Sequence, residues 1–254
     1  METQAAAIRR YFDAESDHYA RGRAEEYSFI AQKRIALDFL PARTDRVLDI
    51  GCGPAVLADE LLERVDEFCG IDLSPAMIER GRARMHGHPL GSRCRLSVGD
   101  AEALAFDDGS FPAVVALGLL EYLPSYQGAL AEIFRVLRPG GVAVLAVPNR
   151  AALYRRCRRV ADRTRLVLKR LLGRAPRATE HFAVNYCVPR GLDDELRRAG
   201  FEPVAGRYCN FVFYPLHELH AGASLALNRA LSGLSSSSLG YWLGAQYVVK
   251  AKKP

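Results

Sequence analysis

No stretch of this chain is apolar for long. Runs such as VAVLAV at 142–147 fall far short of the roughly 18 residues that a membrane-spanning helix requires. The opening METQAAAIRRYF lacks the apolar core of a secretory signal, and no two of the six cysteines (Cys52, Cys69, Cys94, Cys157, Cys187, Cys209) stand in C-x-x-C spacing. These absences exclude a membrane-spanning protein and a disulfide or zinc scaffold. The expectation is a reduced, cytoplasmic chain, soluble or peripheral to a membrane. Its 254 residues are enough to bury a sizeable core without staples. Lysine is also scarce, at five of the 35 basic residues.

The positive charge is unevenly spread. The net charge is +6, yet residues 150–177 hold eleven Lys/Arg against Asp162 alone, a local +10 that leaves the remainder near −4. Along this segment Leu153, Cys157, Val160, Val167/Leu168 and Leu171 recur at steps of three to four residues or their sum, with Arg155, Arg156, Arg159, Arg163, Arg170 and Arg174 largely elsewhere. That spacing predicts a cationic amphipathic helix over 151–173. It suits a lid helix with a solvated arginine face, a helix resting on an anionic membrane, or a surface for an acidic carrier protein or anionic substrate.

From residue 46 the pattern alternates. RVLDI (46–50), a glycine turn and VLADELLERV (56–65) read as strand, turn and helix. FCGID (68–72) with SPAMIERGRARM (74–85), CRLSVGD (94–100), FPAVVALG (111–118) with YQGALAEIFRVL (126–137), and GVAVLAVPN (141–149) continue it. A helix over 24–40 precedes this series, a helix over 191–200 follows, and YWLGAQYVVKAKK closes with a strand pattern. Strands alternating with helices predict a doubly wound parallel sheet. No internal repeat or second independent domain is visible.

In such a sheet, ligands bind outside the carboxyl ends of the strands. There the chain places Asp49-Ile-Gly51-Cys-Gly53-Pro-Ala55, then Asp72, then Gly99-Asp100-Ala101. The glycines let backbone approach a ligand closely, and Asp72 is positioned to accept from ribose hydroxyls. A nicotinamide dinucleotide fits poorly, because G-x-G-x-x-G needs glycine where Val56 stands. A carboxylate at 49 also disfavours a pyrophosphate and favours a cationic amine. Asp100 can accept from an adenine amino group. Ribose, adenine and a cationic amino acid together describe one cofactor.

Through VLDIGCGPA, GIDLSPAMI, GDAEALAF, LGLLEYL and EIFRVLRPGGVAVLAVPN, in that order and correctly spaced, the sequence resembles the class I S-adenosylmethionine-dependent methyltransferases, in particular their small-molecule branch. The resemblance implies a Rossmann-like seven-stranded sheet, mostly parallel with an antiparallel last strand, plus helical lid insertions. It implies S-adenosyl-L-methionine as cofactor and S-adenosyl-L-homocysteine as product. Asp49, Gly51 and Gly53 would hold the methionyl amine and carboxylate, Asp72 the ribose, Leu73 an adenine face, and Asp100 with Ala101 the adenine edge. Leu117 and Gly118 would meet the methionyl end. The opening YFDAESDHYA is similar to the family's F-D-x-x-A-x-x-Y helix, which closes over the cofactor, with Tyr11 and Tyr19 the candidates. Two departures stand out: the usual third glycine of the first motif is Ala55, and Glu121-Tyr122 stands where many relatives have a histidine.

The reaction implied is methyl transfer to a small-molecule acceptor, with a hydroxyl of a polyketide, quinone, lipid or sugar as the expected target. His18, His181, Glu121 and Tyr122 are the candidates for assisting it, with His217 and His220 behind them. H-E-L-H at 217–220 supplies two ligands and no third, so no metal site is expected. One domain is expected over 1–254, with an N-terminal helical lid at 1–40, a basic helical insertion at 149–188 and a lid insertion at 215–240. The +10 segment keeps an RNA methyltransferase as an alternative, but nucleic acid is disfavoured: LGLLEYLP stands where N-P-P-Y would, and no RNA-binding module is present. A non-catalytic binding subunit is the other alternative, opposed by the intact Asp49, Asp72 and Asp100 set. Oligomeric state is left open.

Overall fold

The computed structural model describes residues 3–25, 27–171, 185–213, 216 and 220–254. Seven strands form one sheet: β1 (Thr44–Ile50), β2 (Val65–Asp72), β3 (Cys94–Val98), β4 (Phe111–Leu117), β5 (Leu137–Pro148), β6 (Glu202–Phe211) and β7 (Gly244–Lys252). Their order is β3-β2-β1-β4-β5-β7-β6, parallel except where β7 runs antiparallel to both neighbours. This is the Rossmann-like arrangement expected from the sequence. The order reverses between β1 and β4, which opens a crevice at their carboxyl ends.

The described helices are α1 (Gln4–Glu25), α2 (Tyr27–Phe39), α3 (Ala58–Leu61), α4 (Pro75–His86), α5 (Gln127–Val136), α6 (Leu153–Leu171), α7 (Pro189–Arg198), α8 (Ala221–Ala230) and α9 (Ser238–Leu243). None of them is long and apolar enough to cross a membrane. The helix predicted over 56–65 is only the four residues of α3. Turns replace it on either side, because the chain must descend from the glycine turn and re-enter as β2 at Val65.

Alternate residues of the central strands face opposite layers. Val115 of β4 and Val144 of β5 join Phe29, Phe39, Leu61 and Ile78 on one face. Val114 and Leu145 join Leu130, Ile133, Leu192 and Leu196 on the other. Both faces are therefore covered, which explains why these strands read as continuous apolar runs rather than as alternation.

Candidate active site

Beyond β1 the backbone turns through Gly51, Gly53 and Ala55 at φ of 72°, 52° and 56°. Glycine adopts this left-handed region freely, whereas a residue with a Cβ does so at a cost of about 1–2 kcal/mol, which falls here on Ala55. Gly51 is needed twice, since a Cβ there would also meet the Leu119 side chain at 3.3 Å. The N–H groups of Gly51 and Cys52 donate to the Ile71 carbonyl at 2.8 and 2.9 Å, and the Gly53 N–H donates to Asp72 Oδ2 at 2.8 Å. All three donors are thus engaged within the protein. What the turn offers a ligand is close approach of backbone rather than a nest of free amides.

Asp72 organises the end of β2. Its second oxygen accepts from the Ser74 N–H at 2.9 Å. Ser74 caps α4 by accepting from the Met77 N–H at 3.1 Å, and its hydroxyl donates to Asp13 of α1 at 2.5 Å. Burial raises the Asp72 pKa; the two backbone donors oppose that rise and the Asp13 charge adds to it. Asp49 is 4% exposed. Burial, and then the neighbouring Asp72 charge, push its pKa up to about 7. It borders a small cavity shared with Tyr19, Phe29, Gly51 and Leu117, and no described cation forms an ion pair with it. Cys52 lies beneath the turn, where burial above all raises its thiol pKa well beyond the usual range, so it packs as a small apolar residue.

Next to that cavity is a cleft of about 270 Å³ at the carboxyl edge of the sheet. Gly51, Gly53, Asp72, Leu73, Asp100 and Ala101 form its floor, with Gly118 and Tyr122 at the β4 end. Asp100 also accepts from the Glu102 N–H at 2.9 Å, which shapes the loop after β3. Helix α1 roofs the cleft with Gln4, Ile8, Phe12 and Tyr19. Tyr19 borders both cavities. Tyr11 is not among the lining residues and is 45% exposed, while the adjacent Phe12 lies edge-on to Tyr19 at 5.8 Å and to Tyr122 at 5.3 Å. The resemblance pointed to the tyrosine, but helical periodicity would have found Phe12: Gln4, Ile8, Phe12 and Tyr19 share one face at steps of three to four residues or their sum. Asp13, which ties that helix to the cap of α4, was also missed.

Residues 47–141 match a family described as a methyltransferase domain. A ubiquinone biosynthesis O-methyltransferase from Xanthomonas oryzae pv. oryzae is 30% identical over 204 residues, 78% of this chain and 78% of that protein. The chain is a class I S-adenosylmethionine-dependent methyltransferase. A ubiquinone/menaquinone biosynthesis C-methyltransferase from Geobacter sulfurreducens is 35% identical over 104 residues, 39% of this chain and 40% of the other. The structure of geranyl diphosphate C-methyltransferase from Streptomyces coelicolor, solved with S-adenosyl-L-homocysteine, has the same fold at a TM-score of 0.66 and 17% identity, covering 100% of this chain and 98% of that one.

The cavities of this methyltransferase suit its cofactor. A buried carboxylate with no ion-pairing cation among the described residues, bordering its own small cavity, suits a ligand amine. The Asp72 carboxylate, held at both oxygens by backbone N–H groups, borders the cleft that Asp100 and Ala101 also line. On the acceptor side the turn Leu120–Tyr122 splits its residues. Tyr122 faces the cleft and its carbonyl accepts from Gln4 Nε2 at 2.8 Å. Glu121 is buried and absent from the cleft lining; its carbonyl accepts from the Asn185 N–H at 2.7 Å and its charge acts on Arg155 of α6. The His18 side chain, His181 and His217 lie outside the described residues, and His220 is exposed just before α8.

Proposed function

We propose that this methyltransferase acts on a hydroxyl of a small, largely apolar acceptor, an O-methylation. The observation that carries the reading is the 30% identity to a ubiquinone biosynthesis O-methyltransferase, sustained over 78% of both chains. Aromatic and aliphatic walls from Ile8, Phe12, Tyr122 and Leu123 are consistent with it.

In this reading Asp49 takes the methionyl amine, Asp72 the ribose, Leu73, Asp100 and Ala101 the adenine, and Leu117 with Gly118 the methionyl end. S-adenosylmethionine, when bound, supplies a methyl group on a cationic sulfonium. The chain's own contribution is to align the acceptor oxygen behind that methyl group and to keep water out. The α1 segment within 1–40 acts as the lid; the insertions at 149–188 and 215–240 lie partly outside the described residues, and none of their described residues lines the cleft. Positioning and desolvation of this kind provide much of the rate in a displacement. Tyr122 is the candidate of this set that borders the cleft, and its phenol hydrogen-bonds the acceptor; Glu121 acts at one remove through Arg155.

The test is transfer of radiolabelled methyl from S-adenosylmethionine to a panel of catechols, phenols and sugars, followed by hydrolysis-resistant product analysis. Label in an aryl or alkyl ether supports the reading. Label on ring carbon or on nitrogen, with no ether product, overturns it.

A further inference from the structure

A further cavity, of about 300 Å³, lies along the basic helix and is lined by Tyr154, Arg155, Arg158, Arg159, Asp162 and Tyr186. Three guanidinium groups face one carboxylate, and that carboxylate is only loosely engaged, with Asp162 Oδ2 at 3.8 Å from Arg158 Nε and both side chains more than half exposed. The pocket therefore holds more positive than negative charge.

Arg155 is fixed before any ligand arrives. Its Nε and Nη2 donate to the Ala245 carbonyl at 3.4 and 3.2 Å, and the Tyr186 ring lies 4.7 Å from its guanidinium carbon. No described carboxylate lies within ion-pair distance of it, and Glu121 acts on it only from further away. Arg159, one helical turn on, is oriented by the Arg155 and Arg150 carbonyls at 3.3 and 3.2 Å, and Arg158 donates to the Tyr154 hydroxyl at 2.9 Å. Arg155 and Arg159, held by carbonyl acceptors with donors to spare and with no described carboxylate within ion-pair distance, are the chemistry that receives a carboxylate or phosphate. Little side-chain entropy remains to be lost on binding.

The pocket is tied to the cleft through the segment that precedes Tyr186. Asn185, next to Tyr186, donates its N–H to the Glu121 carbonyl at 2.7 Å and its side-chain amide to the Leu123 carbonyl. The turn that carries Tyr122 and Leu123 into the methyl-donor cleft is thus bonded to the segment that carries Tyr186 into the arginine pocket. An acceptor lying across this turn would present one end to each.

We propose that Arg155 and Arg159, with Tyr186, form a subsite for an oxyanion carried by the acceptor, so that the acceptor is a carboxylate- or phosphate-bearing small molecule. This deepens the methyl-transfer reading and rests on it. Arginines that merely solvate a helix face would not be fixed as Arg155 is, between the Ala245 carbonyl and the Tyr186 ring. A lipid surface would instead meet the exposed Val160, Leu239 and Trp242.

The test titrates inorganic pyrophosphate, as a probe of the pocket, into the full-length protein saturated with S-adenosylhomocysteine. It is repeated with Arg155→Gln, with Arg159→Gln, and with Arg163→Gln, which removes the same charge from α6 outside the pocket. The expected result is saturable binding, weakened tenfold or more by either pocket substitution and less than twofold by Arg163→Gln, while S-adenosylhomocysteine affinity stays within twofold throughout. If Arg155→Gln fails to fold, Arg159→Gln carries the comparison. Absence of saturable binding overturns the subsite, as does equal weakening by all three substitutions, which would mean diffuse charge. Binding to phosphatidylglycerol vesicles without any pyrophosphate binding also overturns it, in favour of a membrane surface. Failure of the unmodified protein to bind S-adenosylhomocysteine would instead count against the methyl-transfer reading, so the two failures are distinguishable.

Discussion

On one side of the β4 turn, the candidate site is built from backbone and short carboxylates: Gly51 and Gly53 in left-handed conformations, Asp72 held between the Gly53 and Ser74 amides, and Asp49 buried beneath. On the other side, the proposed oxyanion subsite is built from long side chains projecting from one helix, Arg155 and Arg159, with the Tyr186 ring against Arg155. The first kind of site tolerates few residue types, because the backbone geometry and the absence of a Cβ are themselves the recognition. The second fixes its guanidiniums through carbonyls that any residue can supply. On the proposed assignment, the cofactor side is tightly specified and the acceptor side is left free to vary.

The sharpest way to break that contrast is Asp72→Ala. It removes the acceptor for two backbone N–H groups and the carboxylate proposed for the ribose, so S-adenosylhomocysteine affinity should fall by about 100-fold or more, since hydrogen bonds to charged groups are each worth about 1.5–3 kcal/mol. Calorimetric titration reads this directly. A loss no greater than that caused by Arg155→Gln would mean that the cofactor does not depend on the backbone side.

Asp49→Asn should have the next largest effect, and its signature is in pH. With a folded pKa of about 7 against 3.8 as the ordinary value, the Asp49 contribution to stability is fully present below about 3.8 and is lost as pH rises through about 7. A ligand amine favours the charged carboxylate, so affinity for S-adenosylhomocysteine should weaken towards tenfold per pH unit as pH falls below 7. The Asn variant should bind about tenfold more weakly at pH 8 and lose most of that slope. Melting temperature and affinity measured from pH 5 to 8 check both halves, and an unchanged slope in the variant would remove Asp49 from the amine's environment.

The cofactor side was legible in the sequence because strand ends, glycine turns and carboxylates occur there in fixed order: Asp49, Asp72, Asp100 and Ala101 border the two cavities, and the seven-stranded sheet was expected as found. The roof was less legible. Tyr11 was taken by motif, whereas Phe12 lines the cleft, since which face of α1 points down depends on its packing against α4. The helix expected over 56–65 shrank to Ala58–Leu61, because apolar spacing cannot register a turn demanded by strand re-entry. The split of Glu121 from Tyr122, and the pairing of Arg155 with Tyr186, arise from contacts between segments more than thirty residues apart in sequence. No local pattern encodes them.

Asp13→Ala should produce a smaller change, because it loosens the roof and leaves the floor intact. Asp13 accepts from the Ser74 hydroxyl at 2.5 Å and from the Ala76 N–H at 3.4 Å, placing a negative charge at the N-terminus of α4. Such a charge is worth about 0.3–1 kcal/mol. Affinity for S-adenosylhomocysteine should fall by about fivefold, and limited proteolysis should cut within α1 sooner. Unchanged proteolysis would show that α1 is held by its apolar face and its other polar ties, Gln4 to the Tyr122 carbonyl and Asp17 to Arg80.

The smallest expected effect lies at the adenine end. Arg135 of α5 reaches back to the carbonyls of Leu104 and Phe106 at 2.8 and 2.7 Å and to Asp108 at 2.7 Å. Glu132 beside it accepts from the Leu104 N–H at 2.7 Å, and the paired Arg135 holds the Glu132 carboxyl below its usual pKa. These bonds pin the loop after β3 without touching the cleft. Arg135→Gln should therefore speed amide exchange over residues 103–108 while weakening S-adenosylhomocysteine binding only about threefold, the cost of ordering a loop that was previously held in place. Exchange that accelerates with no change in affinity would place the adenine contacts on β3 and Asp100 alone. A tenfold or greater loss would extend the backbone-built region out to α5.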